Sequence, residues 1–215
     1  MVDNTIHDAL TNRRSVRRFI DRAVPADVIR KIAEDAQWTP SWANAQPWKL
    51  YVATGDTARE IRRDYQSGSL PSEAELPSFR DEHWGIREQR NMGHWGQQLR
   101  GFLSSDAYQF GEGQKNLFNA PTIAVITISK DAPVWEILDA GAFEQSLLLS
   151  AYNQGVDTIV AVAFVAHASY LHKKLNIPDD EAVVMGIGMG YRGDDKINKF
   201  KSDRVPLDDI LTIKD

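Results

Sequence analysis

Four arginines and a serine crowd into the six residues Arg13-Arg14-Ser15-Val16-Arg17-Arg18 of a chain whose net charge is −5. Guanidinium is a rigid fork of donors that matches phosphate oxygens, and serine adds a hydroxyl, so the run suits a phosphate-binding turn. Read alone, it serves equally well as a solvated basic face or a charge-stapled helix end. A second cluster, Thr39-Pro40-Ser41-Trp42-Ala43-Asn44-Ala45-Gln46-Pro47-Trp48, sets two side-chain amides in a proline-stiffened loop. Amides both donate and accept, which suits the polar edge of a heteroaromatic ring better than simple tryptophan packing. A third, Phe200-Lys201-Ser202-Asp203-Arg204-Val205-Pro206-Leu207, is again basic with a serine, and alone reads as a solvated tail.

The elements that must position these clusters follow from periodicity. Residues 3–12 read as a short helix. Pro25 sits where the next helix begins, since its missing N–H costs nothing there, and Val28, Ile29, Ile32, Ala33 and Ala36 continue at helical spacing up to Trp38-Thr39-Pro40. Residues 50–53 form a brief strand and 56–65 a helix. Residues 66–116 are polar and without strand pattern, and are expected to be an irregular or helical excursion serving as lid or contact arm. Then come a buried strand at 122–129, a long helix at 135–152, a strand at 158–165, a short helix at 170–175, a strand at 182–189 and a polar arm at 194–215. Helices first and alternation later imply one α+β domain over residues 1–215, with helices packed on a central mixed or antiparallel sheet and a C-terminal extension.

Composition narrows the chemistry. Of the 215 residues, 42% are hydrophobic, enough for folding to bury roughly 70% of the unfolded surface. The acidic balance argues against a nucleic-acid partner. No cysteine is present, which removes disulfides, thiolate catalysis and cysteine-bound metals. The polar start MVDNTIHDAL and the lack of a ~20-residue apolar run argue against a leader and a membrane partner, leaving a cytoplasmic expectation. Gly186-Ile187-Gly188-Met189-Gly190 lacks the third spaced glycine and following helix of a dinucleotide fingerprint, and reads as a strand end. His167 and His172, five apart, read as surface or capping residues rather than metal ligands. No G-x-S-x-G elbow occurs. The aromatic residues of 66–116 read as packing.

Taken together, RRSVR at 13–17, PSWANAQPW at 40–48 and KSDRVPL at 201–207 resemble, in order and spacing, the three flavin-binding segments of the FMN-dependent nitroreductase family. The stretch 138–158 is similar to that family's long central helix and following strand. The resemblance implies that Arg13, Ser15 and Arg17 hold the FMN phosphate and ribityl chain, with Arg14 contributing mainly backbone. It implies that Lys201 and Arg204 close on the phosphate from the other end of the chain. Pro40, Ser41, Trp42 and Asn44 would line the isoalloxazine edge, with Gln46 supporting the loop. Where many relatives carry a P-x-E-G turn facing flavin N5, this chain has Val160-Ala161-Val162-Ala163. A backbone N–H needs no particular side chain, so that contact survives, but a role for the glutamate does not. Trp42, in place of a small residue, suggests a narrower or more aromatic pocket.

The function so implied is an FMN-dependent oxidoreductase that takes electrons from NADH or NADPH and passes them to a nitroaromatic, quinone or similar small acceptor by a ping-pong route, with no catalytic side chain and no metal. A flavin-binding storage or sensing module without turnover shares every expected contact, and relatives of this fold also dehalogenate or oxidise. The resemblance further implies a homodimer with FMN at the interface. The 135–152 helix gives an independent reason: apolar or small residues lie around most of its circumference, so a second surface must bury what one sheet cannot.

Overall fold

The computed structural model describes residues 6–76 and 84–215. Its helices are α1 (Ile6–Asn12), α2 (Ala26–Ala36), α3 (Gly55–Gln66), α4 (Ile86–Leu103), α5 (Tyr108–Lys115), α6 (Val134–Asn153) and α7 (Ala168–Leu175). The strands β1 (Lys49–Ala53), β2 (Thr122–Ser129), β3 (Asp157–Val160) and β4 (Glu181–Gly190) form one sheet in the order β1-β2-β4-β3. Every pair is antiparallel, which settles the mixed-or-antiparallel alternative: Lys49 faces Thr127, Thr122 faces Met189, and Asp157 faces Gly190. The fold is the expected α+β type.

Strand alternation builds two apolar layers, because successive side chains leave opposite faces of the sheet. Ile123 and Val125 of β2 join Ile61 of α3, Leu171 of α7, Phe118 and Phe164 on one face. Ala124, Ile126 and Ile128 join Ile32 of α2 and Phe143, Leu147 and Leu148 of α6 on the other. A smaller third cluster, Leu99 and Leu103 of α4 with Ile197 and Phe200, ties the excursion to the C-terminal arm.

The structure decides some expectations and corrects others. Of the two forms expected for 66–116, its described residues take largely the helical one: α4 runs for 18 residues and α5 for eight. Their apolar stripes are narrow and interrupted by Gly93, Gly96 and Gly101, which hid them. Residues 77–83 of that stretch, and residues 3–5 of the first helix, lie outside the described residues. The strand expected at 158–165 stops at Val160, and 162–165 turns into a 3-10 segment. Here Gly186 and Gly188 of β4 matter. A Cβ at Gly188 would stand 2.6 Å from Phe164 Cζ, so only glycine lets the chain fold across the sheet and bury that ring. These glycines lie in the closing half of β4, which ends at Gly190 as the expected glycine-rich strand end. Pro25 does stand where the helix begins, as the residue that caps α2. His172 is not a surface residue. Its ring is largely buried, with Nδ1 3.1 Å from the Ile177 carbonyl and Nε2 3.1 Å from Glu75 Oε2. The polar arm 194–215 also carries Ile210, Leu211 and Ile213, all exposed and outside any strand.

The long helix is apolar on two sides, but only one is covered within the chain. Ala140, Phe143, Leu147, Leu148 and Ala151 are buried. Trp135, Leu138, Gly141 and Ala142 are exposed.

Candidate functional site

The arginine-rich segment leaves the end of α1, where the Arg13 amide donates to the Ala9 carbonyl at 3.1 Å. It runs extended along the free edge of β3, where the Val16 amide donates to the Thr158 carbonyl at 2.9 Å and Ser15 bridges Thr158 in parallel. Its other side is held by Asn198, a buried residue on the C-terminal arm. Asn198 Oδ1 accepts from the amides of Arg17 (2.8 Å) and Arg18 (3.0 Å), while its Nδ2 donates to the carbonyls of Arg18 (2.7 Å) and Gly193 (3.0 Å). One side chain thus satisfies four backbone groups and pins together two segments 180 residues apart. Nothing in its sequence context marks it out.

Between these segments lies a small cavity of about 60 Å³ lined by Arg13, Arg14, Ser15, Arg17, Phe200, Ser202 and Arg204. Four arginines line it, with no carboxylate among the walls. Burial and then the Arg204 and Arg14 charges hold the Arg13 pKa below its ordinary value. Burial lowers that of Arg17 to about 10. Arg17 sits between the rings of Trp95 and Phe200, 5.8 Å from each centroid, and its Nε is buried without a hydrogen-bond partner. Like charges crowded against an orphaned donor are a site prepared for an anion with several oxygens. Glu144 of α6 lies close enough to Arg13 to offset part of its charge, and burial raises its own pKa. Arg14 turns its guanidinium to the Thr11 and Arg13 carbonyls. Lys201 is exposed and is not among the walls.

Ser15 and Arg17 also open onto a second cavity of about 270 Å³, an apolar slot lined by Trp95, Phe110, Gln114, Phe118 and the run Ile159–Ala163. Val160, Ala161, Val162 and Ala163 therefore line the same slot as Ser15 and Arg17. The Ala161 amide is spent on the Gly186 carbonyl (3.2 Å). The 3-10 segment begins at Val162, and the opening amides of such a turn have no acceptor within it. Trp95 and Phe110, 5.7 Å apart edge to face, were expected to be packing; they are walls of the slot as well. Phe118 reaches it from an unusual turn in which Leu117, Phe118 and Asn119 all have positive φ (51°, 59° and 59°). Bulky residues held there signal strain that the surrounding core must impose.

The loop expected to line a ring edge stands apart. Its backbone is shaped by positive φ at Ala43, Asn44 and Gln46, and by the Gln46 amide donating to Ser41 Oγ at 2.9 Å. Gln46 Nε2 donates to the Asn44 carbonyl (3.1 Å), a loop-supporting contact. The Trp42 amide donates to Asp139 of α6 (3.0 Å), and the Trp42 ring stacks on Trp135 at 5.5 Å, still 65% exposed. None of Pro40, Ser41, Trp42, Asn44 and Gln46 lines the cradle or the slot of the same chain. Two of the three motifs converge; the third faces solvent on the same exposed flank as Trp135 and Leu138. Among the described residues no group of histidine, aspartate or glutamate could hold a metal, and no helix is long and apolar enough to cross a membrane.

Comparison with known proteins places this geometry. Residues 10–191 match the Nitroreductase family. The chain is 29% identical over 218 residues to a chloronitrobenzene nitroreductase of Comamonas testosteroni, covering 96% of each chain. It is 31% identical to a 4-nitrobenzoate reductase of Nocardioides sp. (strain LMS-CY), covering 93% of this chain and 86% of that one. Among solved structures, an FMN-dependent nitroreductase from Mycobacterium smegmatis in complex with NADPH superposes with a TM-score of 0.88 at 21% identity, over 97% of each chain. With the family match spanning the arginine-rich segment, the slot and the whole sheet, this chain belongs to the nitroreductase family.

Proposed function

We propose that this chain is an FMN-dependent NAD(P)H oxidoreductase that reduces nitroaromatics, quinones or similar small acceptors, with residues 1–215 acting as one FMN-binding domain. The observation that carries the reading is the carboxylate-free arginine cradle opening directly onto an apolar slot. The residues fit the cofactor. Arg13, Ser15 and Arg204 suit a terminal phosphate, with Arg14 shaping the turn and Lys201 adding long-range positive charge. The buried orphaned Nε of Arg17 and the opening amides of the 162–165 turn suit the electron-rich edge of a flavin.

When bound, FMN supplies the redox chemistry, accepting hydride from a reduced nicotinamide and passing electrons to the acceptor. The protein's part is electrostatic and steric. Arg17 and the turn amides favour negative charge in the slot, where low polarity strengthens their effect. Trp95, Phe110 and Phe118 exclude water and favour flat aromatic occupants. One slot serving donor and acceptor in turn implies alternate occupancy.

We further propose a homodimer with FMN at the interface. In it Pro40, Ser41, Trp42 and Asn44 of one subunit, steadied by Gln46, complete the slot of the other. Support comes from the separation of this loop from the slot of its own chain, and from the uncovered apolar flank formed by Trp42, Trp135 and Leu138. A cytoplasmic location, where reduced nicotinamides are made, suits the donor.

The test begins with colour. Purified protein should be yellow and release FMN, not FAD, on heating. NADH or NADPH should bleach it anaerobically and a nitroaromatic should restore the colour, with parallel double-reciprocal lines in steady state. Intersecting lines would require a ternary complex. Flavin that no nicotinamide reduces would point to a storage or sensing module instead.

A further inference from the structure

A third cavity at this end of the molecule, about 620 Å³, is larger than the cradle or the slot and is required by neither. It lies between α4 and the C-terminal arm, lined by Arg90, His94 and Trp95 on one side and by Ser202, Arg204 and Asp209 on the other. Trp95 is shared with the slot, and Ser202 and Arg204 with the cradle, so the cavity adjoins both. Its walls are fastened: Asp203 Oδ2 accepts from Gln98 Nε2 at 2.7 Å and lies 3.1 Å from His94 Nε2. Arg204 bonds only within its own segment, to the Ser202 and Asp203 carbonyls and Ser202 Oγ. Neither Arg90 nor Arg204 has an ion-pair partner among the described residues.

A nicotinamide dinucleotide is much longer than its reacting ring. A slot of about 270 Å³ that holds part of a flavin has no room for two phosphates, two riboses and an adenine as well. That tail must leave the slot past one of its walls. The neighbouring cavity is of the size that buries ligands of this class (~300–1,000 Å³) and offers what the tail needs. Arg90 supplies cationic donors for the diphosphate, Asp209 an acceptor for ribose hydroxyls, and the Trp95 ring an apolar face. A small nitroarene needs none of these.

We propose that this cavity holds the adenosine diphosphate–ribose tail of the reducing dinucleotide, with Arg90 as the residue that selects it. This rests on the reductase reading above, and the experiment separates the two. FMN-loaded protein, whose cradle is filled, is titrated with ADP-ribose by calorimetry, wild type against Arg90→Glu. Arg90 is exposed on α4, so the variant should fold, and circular dichroism and FMN affinity serve as controls. Loss of a charge-assisted phosphate contact should weaken ADP-ribose binding about tenfold or more. Anaerobic bleaching by subsaturating NADH or NADPH should slow in step, while bleaching by 1-benzyl-1,4-dihydronicotinamide, which has no tail, should not change. Equal ADP-ribose affinity in both proteins, no binding to wild type, or equal slowing of the tailless donor would each overturn the assignment. So would a variant impaired only in reoxidation by 4-nitrobenzoate, which would make this the acceptor's site. A wild type that no nicotinamide bleaches would sink the reductase reading, with ADP-ribose calorimetry still deciding the cavity.

Discussion

Replacing Arg204 with alanine should move the stability of the apoprotein and of the flavin-loaded protein by different amounts, and that difference is the signature of an anion cradle. In the folded chain Arg204 bonds only to its own segment and presses its charge on Arg13, whose pKa is held down by burial and then by this neighbour. Removing it relieves repulsion and leaves no buried group unpaired, so the apoprotein should melt at the same temperature or slightly higher. Flavin binding should suffer. A charge-assisted contact to phosphate contributes about 2 kcal/mol, so the dissociation constant should rise about 30-fold. With FMN at about 100 times the wild-type constant, ligand stabilisation falls from about 2.7 to about 0.9 kcal/mol. That corresponds to a melting point about 4–7 °C lower than loaded wild type for a chain of this size. Fluorescence-quenching titration and thermal melts with and without FMN read all three quantities. Two results would refute the reasoning: wild-type FMN affinity, or an apoprotein that loses as much stability as the loaded form. The second would make Arg204 a residue of the fold rather than of the site.

Asn198→Ala should strip the Arg17 and Arg18 amides of their acceptor, costing about 2–4 kcal/mol in urea unfolding and weakening FMN binding with it; an unfolding midpoint equal to wild type would show that the two segments do not depend on this clamp. Glu181 is buried, which opposes its charge, yet hydrogen bonds from Lys49 Nζ (2.5 Å), Thr127 Oγ1 (2.5 Å) and Tyr51 hold its pKa below the ordinary carboxylate value. A depressed folded pKa stabilises above the unfolded value of about 4.3 and is lost as pH falls through the folded one, so acid unfolding should be flatter in Glu181→Gln; an unchanged profile between pH 5 and 2 would remove Glu181 from the account. Leu138→Asp, at a position 58% exposed, should yield a folded monomer by light scattering, whereas Leu148→Asp, only 3% exposed within its own chain, should unfold the chain before assembly is tested. A Leu138→Asp protein that remains dimeric with wild-type flavin content would place the interface elsewhere.

The long helix illustrates where local pattern stops. The apolar circumference of the long helix is a property of its sequence, but which flank the sheet takes is settled by the register of α6 on β2 and β4. The sheet covers Phe143, Leu147 and Leu148 and leaves Leu138 and Ala142 bare.

What the sequence determined by itself is chemistry that is local. An arginine-serine run, a proline-amide loop and a basic arm announce their functional groups in consecutive residues. The β2 strand and the α2 and α6 helices announce themselves because period and burial coincide within one element. Tertiary structure alone decided which of these meet. The first and third clusters come together because one buried amide, Asn198, satisfies backbone groups 180 residues away, a pairing with no local signal. The strand after α6 ends at Val160 because glycines in β4, more than 20 residues further on, leave room for Phe164. Trp95 and Phe110 became cavity walls because the excursion's apolar residues pack on the arm and leave those rings lining the slot. Hydrogen bonds and packing across the chain are satisfied only once in three dimensions, and the sequence records their partners but not their pairing.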